Sequence, residues 1–226
     1  MDALTMRRIE GNKLAEAVRP YAATDAIVLG LSRGGLIVAH EVAHVLGLPF
    51  DVLVAQRIAE PAEPQLSVGA VVEPGRFAVN RGRLRALSLD AAWLREAVAH
   101  NVREVGRRGA GYRGKRQRRD PADRQVILVD DSAATGLTLR AAVRAVRAMG
   151  AREIIVAVPV APLHVLQRLA PHVKRVICLA TPAELIAGGV HYPLPLELSD
   201  DDLRDLLGLV GSSTAPPPLD PPPMRA

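Results

Sequence analysis

The chain has 226 residues, an apolar share of 49%, few aromatics at 3% and a formal net charge of +5. Its single cysteine, Cys178, excludes an internal disulfide, and no run approaches the roughly 20 apolar residues of a spanning helix, so a cytoplasmic protein without membrane contact is expected. The length suits one α/β core, while the positive excess, almost all Arg, admits phosphate-bearing partners without choosing among them.

In chain order, residues 12–21 predict a short amphipathic helix through Leu14, Ala17 and Val18, and Ala26–Leu31 an apolar strand. A turn, GLSRGG, leads into a helix from Gly35 to Leu46 whose apolar face is Val38, Val42, Val45 and Leu46. A strand at Asp51–Ala55, a Pro-rich loop and a strand at Val68–Val72 follow, the last pairing with Arg76–Val79. Ser88–Arg108 predicts a long helix. Residues 107–124 are rich in Arg and Gly with almost no apolar side chains, which predicts a mobile basic loop. Beyond it come a strand at Val126–Val129, a helix ending at Gly150, a strand at Ile154–Val160, a helix near Leu163–Leu169, a strand at Arg175–Ala180 and a final helix at Ser199–Leu209. The alternation predicts an α/β fold, a Rossmann-like parallel sheet flanked by helices, in one domain over residues 1–211 with a disordered Pro-rich tail at 212–226.

The stretch that organises the chain is Val126 to Leu139, VILVDDSAATGLTL. Four apolar residues, three of them β-branched, are the composition of a strand buried on both faces, and two carboxylates end it. A small-residue loop then opens a helix. The unpaired backbone N–H groups at a helix N-terminus, with the positive end of its dipole, form an anion site. Thr135 and Thr138 add hydroxyl donors, while Asp130 and Asp131 accept well from neutral hydroxyls. A sugar phosphate fits both halves.

These residues resemble the PRPP motif of the type I phosphoribosyltransferases. The resemblance implies that Asp130 and Asp131 bind the ribose hydroxyls and that Ser132, Ala133, Ala134, Thr135, Gly136 and Thr138 hold the 5′-phosphate; Leu137 stands where many members have a second Gly. It also makes GLSRGG the pyrophosphate loop, with Ser32, Arg33, Gly34 and Gly35 around the leaving group. DVLVAQRIAEPAEPQLSVGAVVEPG at 51–75, VPVAP at 158–162 and CLATP at 178–182 are similar to a subgroup of predicted bacterial phosphoribosyltransferases, so that the likeness runs over about residues 7–209. Within it Arg57 takes the place of a Lys and Gln65 that of a Glu. The family has a loop before the central motif that closes over PRPP, which makes Arg57, Arg113 and Lys115 its candidate contacts. The family's small hood over the acceptor departs here, at His191–Pro195, where only Tyr192 of an aromatic-acidic run is kept.

Two further patterns compete. GLSRG matches the nucleophile elbow of α/β-hydrolases, but too little chain precedes Ser32 for the strands and oxyanion loop that elbow needs. His40, Glu41 and His44 form HExxH on the polar side of their helix, opposite the apolar face, which predicts solvent-facing side chains rather than a zinc site. The basic run has no aromatic interleaving beyond Tyr112, which disfavours nucleic acid there.

The reaction implied is transfer of the 5-phosphoribosyl group from PRPP to a nitrogenous acceptor, with a nucleobase as the candidate, releasing pyrophosphate. Asp130, Asp131 and Arg33 are the catalytic candidates, and Mg²⁺ is the expected cofactor, held indirectly by the two acids. The alternative is a non-catalytic sensor of PRPP or nucleotides that binds nucleic acid through the basic run. The expected partners are PRPP and the acceptor, with a homodimer as the candidate assembly.

Overall fold

Asp2 caps the first helix, α1 (Ala3–Val18), by accepting from the Thr5 N–H at 2.8 Å. The computed structural model describes residues 2–31, 33–64, 66–114 and 116–183, together with Ser199, Asp201, Arg204 and Gly208. The tail 212–226, the hood segment 191–195, most of the helix expected at Ser199–Leu209, and Ser32, Gln65 and Lys115 lie outside the described residues.

Helix α1 starts well before the expected residue 12. Its buried stripe is Ala3, Arg7, Gly11, Leu14, Ala15 and Val18, so the first half of that face carries a charge and a glycine where periodicity looks for apolar side chains. Gly11 is a crossing point: a Cβ there would lie 2.6 Å from the Glu41 Cβ.

Five strands form the main sheet: β1 (Ile27–Gly30), β2 (Phe50–Val52), β6 (Gln125–Val129), β7 (Glu153–Val160) and β8 (Arg175–Ala180). Their order is β2-β1-β6-β7-β8, and every pair is parallel. Burial on both faces explains the apolar runs of the inner strands, β1 and β6 being buried at every residue. One face packs on α1 and α2 (Arg33–Leu46) through Val28, Ile127, Val129 and Ile155; the other packs on α5 (Leu137–Ala148) and α6 (Leu163–Leu169) through Ile27, Leu128 and Val156.

A second, antiparallel sheet of three strands holds β3 (Ala55–Ala59), β4 (Ser67–Val72) and β5 (Arg76–Val79). Two of its members match expectation, but β3 does not. The strand expected at Asp51–Ala55 divides, β2 ending at Val52 and β3 beginning at Ala55 in the other sheet. A short helix, α3 (Arg81–Ala86), also escapes the periodicity because it buries only Leu84.

The expected mobile loop at 107–124 needs correction. Helix α4 runs from Ala91 to Arg113 and takes in the first third of that segment. Its last turns bury Gly109 and Tyr112, and Arg113 reaches Glu73 with Nη2 to Oε1 at 2.6 Å and Nη1 to Oε2 at 3.0 Å. A buried carboxylate distant in sequence supplies what the local composition lacks. Further on, the Arg119 N–H donates to Asp51 Oδ2 at 2.7 Å, tying the segment to β2.

The HExxH helix is also corrected in part. His44 is exposed as expected, but Glu41 is buried beneath α1, 3.5 Å from Arg8 Nε. His40 packs edge-on against Phe50, ring centroids 5.8 Å apart. Burial, with His44 and Arg8 adding positive charge nearby, holds the His40 imidazole down to about 4. The face opposite the sheet is not free surface, because α1 lies over it. No group of three His, Cys, Asp or Glu placed to hold a metal is found among the described residues.

Candidate functional site

The strand order reverses between β1 and β6, with β2 and α2 lying to one side of that point and β7 to the other. Such a switch point leaves a crevice at the carboxyl ends of the strands, where ligands of open α/β sheets bind. Both motifs leave the sheet there. Gly30 pairs with Val129 in register, and the Leu31 N–H donates to the Val129 carbonyl at 2.9 Å, so the two loops start side by side.

Gly34 is where they touch. A Cβ on Gly34 would lie 1.9 Å from Asp131 Oδ2 and 2.6 Å from Arg7 Nε, so only glycine lets the first turn of α2 press against the acidic loop. Gly35 is buried behind it, and Arg33, at the start of the helix, is half-buried.

The acidic pair divides its tasks. Asp130 is buried: its Oδ1 accepts from the Asp131 N–H at 3.1 Å, and its own N–H points to the Ala157 carbonyl at 3.4 Å. Asp131 is held by Arg7, whose Nε and Nη2 reach the same Oδ2 at 3.0 and 2.9 Å. Arg7 also donates to the Ala3 carbonyl at 3.1 Å, which fixes its guanidinium. Burial pushes the Asp131 carboxyl up from its ordinary value; Arg7 and the Ser132 hydroxyl pull it back without cancelling the shift. Arg7 is the site residue that sequence reasoning missed. Its only sequence signal is its place in the stripe Ala3–Arg7–Gly11, which reads as polar until the helix is known to be buried.

The rest of the loop forms the cradle. The Ala133 N–H donates to the Val160 carbonyl at 3.0 Å and anchors the loop to β7. Gly136 adopts φ 69, and a Cβ on it would fall 2.7 Å from Val165 Cγ1; conformation and space both call for glycine. As N-cap of α5 it provides no side-chain acceptor, and the Leu137 N–H instead reaches Thr135 Oγ1 at 3.5 Å. Thr135 is exposed and Thr138 half-buried at its rim. A phosphate-sized anion matches this end of the helix, and hydroxyl donors match the carboxylates.

Of the remaining candidates, Arg57 stands exposed on β3 in the small sheet, apart from the two strand-end loops. Arg113 is committed to Glu73 and to the Val52 carbonyl at 3.3 Å, so the expectation that it serves a closing loop is replaced by a structural role under the small sheet. For Mg²⁺, the donor set is two carboxylates with one already clamped by Arg7. That suits a hard cation held mostly by ligand oxygens and water, and is too small for an all-protein cage.

A family model described as a phosphoribosyl transferase domain matches residues 5–195. Two Mycobacterium tuberculosis proteins, from strains CDC 1551 / Oshkosh and H37Rv, each named "Putative phosphoribosyl transferase", are 38% identical over 193 residues, 85% of this chain and 44% of theirs. The chain thus spans less than half the length of these curated relatives. The crystal structure of TT1426 from Thermus thermophilus matches with a TM-score of 0.72 and 36% identity, covering 91% of this chain and 98% of that one.

Proposed function

This chain belongs to the phosphoribosyltransferase family, and from that premise we propose that it moves the 5-phosphoribosyl group of PRPP onto a nitrogen acceptor and releases pyrophosphate. The observation that supports this reading is the close approach of Gly34 to Asp131 at the switch point, with the first turn of α2, the acidic pair and the N-terminus of α5 gathered at the same strand ends.

The ribose 5′-phosphate sits on the first turn of α5, between Ala134 and Thr138, where backbone N–H groups and the Thr135 and Thr138 hydroxyls donate to it. Asp130 and Asp131 accept from the 2′- and 3′-hydroxyls, and Arg7 keeps the Asp131 carboxylate in place. Ser32, Arg33, Gly34 and Gly35 hold the pyrophosphate at the start of α2. The bond from C1 to the pyrophosphate oxygen breaks with its electron pair leaving on oxygen, and the acceptor lone pair forms the new C1–N bond. The acceptor's proton goes to solvent or to a carboxylate of the central pair. Positive charge develops on the ribose beside Asp130 and Asp131, while Arg33 and the dipole of α2 stabilise the leaving group. Asp130 and Asp131 are the residues that would hold Mg²⁺ beside the ligand, where it would supply further charge neutralisation.

Pyrophosphate release from PRPP and Mg²⁺ across a panel of purine and pyrimidine bases tests the reaction. Turnover with at least one is expected; tight PRPP binding without turnover on any acceptor argues for a sensor instead. The site is tested separately. Asp130→Asn with Asp131→Asn removes charged acceptors worth roughly 1.5–3 kcal/mol each, so PRPP affinity should fall about a hundredfold or more. Unchanged affinity would reject the assignment.

A further inference from the structure

A second feature adjoins the phosphate loop and runs along the outer face of α5. It is a groove of about 1180 Å³ between that helix, the β5 turn, the start of α3 and α6. Six guanidinium side chains line it, those of Arg76, Arg81, Arg140, Arg144, Arg147 and Arg168, and no Asp or Glu is among its described lining residues. Six positive charges in one groove exceed the formal excess of +5 on the whole chain.

Four surface arginines elsewhere are paired with carboxylates: Arg19 with Glu16, Arg83 with Glu60, Arg107 with Glu104 and Arg152 with Asp25. None of the six groove arginines forms an ion pair with a carboxylate of the described residues. Arg144 donates to the Phe77 carbonyl at 3.1 Å and Arg147 to the His172 carbonyl, contacts that orient the side chains without cancelling their charge. Their helix is well supported, since the opposite side of α5 buries Leu139, Ala142, Val143 and Val146 in the core.

We propose that this groove binds the phosphodiester backbone of a single-stranded nucleic acid. A lone phosphate needs a fraction of this space and of this charge. Arg140, Arg144 and Arg147 form a row spanning about 10 Å at the ~1.5 Å rise of a helix, and Arg76, Arg81 and Arg168 from three other elements extend the positive surface beyond what one phosphate needs. Phe77 lines the same groove and is 40% exposed, offering a ring face to an unpaired base. Paired and stacked bases of a duplex cannot present a face to it, which favours the single strand. Guanidinium groups also stack on bases and fork onto phosphate oxygens. This assignment does not rest on the PRPP reading: the groove borders the phosphate loop at Ala134, Thr135 and Leu137, while its six arginines lie outside that loop.

Fluorescence anisotropy with a labelled 12-nucleotide single strand tests it, using the full chain. Binding in the micromolar range at low salt is expected, weakening about 20- to 50-fold between 50 and 200 mM salt if three to four phosphates are neutralised. Arg144→Gln with Arg147→Gln should weaken binding at least tenfold and flatten the logarithmic salt slope by about 1.4. Arg76→Gln with Arg168→Gln tests the other walls, so a folding fault on α5 does not decide the matter. The control, Arg103→Gln with Arg107→Gln in the basic run of α4, should change affinity less than about twofold. No binding at about 100 μM, tighter binding of the duplex or of inorganic polyphosphate, or an equal loss in the α4 control would each overturn the proposal.

Discussion

The loop Asp130–Gly136 and the helix end Arg107–Arg113 are written in similar residues, DDSAATG and RRGAGYR, a pair of like charges followed by small side chains. One leaves a strand end as irregular backbone and the other completes α4. The difference lies in what receives the charges. Asp131 meets one cation, Arg7, at the strand ends, whereas Arg113 and Arg107 of α4 meet Glu73 and Glu104. Small residues permit both outcomes, and the distant partner selects one. At Gly109 the choice is visible: a Cβ there would lie 2.0 Å from Glu73 Oε1, so the glycine that suggests a loop opens space for the carboxylate that keeps the helix.

Breaking the partner tests this most sharply. Glu73→Ala leaves Arg113 buried without its counter-charge and should cost about 3–5 kcal/mol, lowering Tm by roughly 10 °C in a chain of this size. Limited trypsin digestion should then cut rapidly at Arg107 and Arg108. Glu73→Leu with Arg113→Leu should recover much of the loss, and an unchanged Tm in the single variant would refute the account.

A milder form of the contrast is found on α2, where tertiary burial captures His40. Its folded value near 4 lies below the ordinary 6.5, so the unfolded chain takes up the proton first. The stability this group contributes is present above pH 6.5 and is lost as pH falls toward 4, about 2 kcal/mol between pH 7 and 5. Glu41 works in the opposite direction, burial having raised its carboxyl, but it is common to both proteins when His40→Gln is compared with wild type. Chemical denaturation at the two pH values should show the variant losing less stability on acidification.

The smallest expected effect concerns the site itself. Arg7→Gln removes the cation that opposes burial at Asp131, so the carboxyl rises further and the acid limb of PRPP binding moves to higher pH. Affinity at neutral pH should fall about tenfold, the scale of one charged hydrogen bond. Arg7→Lys should restore part of the shift, and a pH profile identical to wild type would make Arg7 a packing residue only.

Much of the frame was legible in the residues. Val126–Val129 and Ala26–Leu31 name buried strands because β-branched apolar runs have few other places to go, and strands 76–79 and 175–180 and the helix 163–169 fall where their patterns put them. The glycines at 34 and 136 announce their loops. The start of α1, the strand β3, helix α3 and the last turn of α4 were not legible, because each is held by contacts without apolar periodicity: Arg7 on Asp131, the ladder of β3 with β4, Arg83 on Glu60 and Arg113 on Glu73.

The sequence alone determined the alternation of strands and helices and the two small-residue loops at the strand ends, since burial period and loop chemistry act over a few neighbouring residues. Only the tertiary structure decided which charges meet. Arg7 finds Asp131 across 124 positions, the basic run turns out to be partly helix, and six arginines from four elements gather along α5. Charge compensation acts through space at contact range, where order along the chain carries no weight.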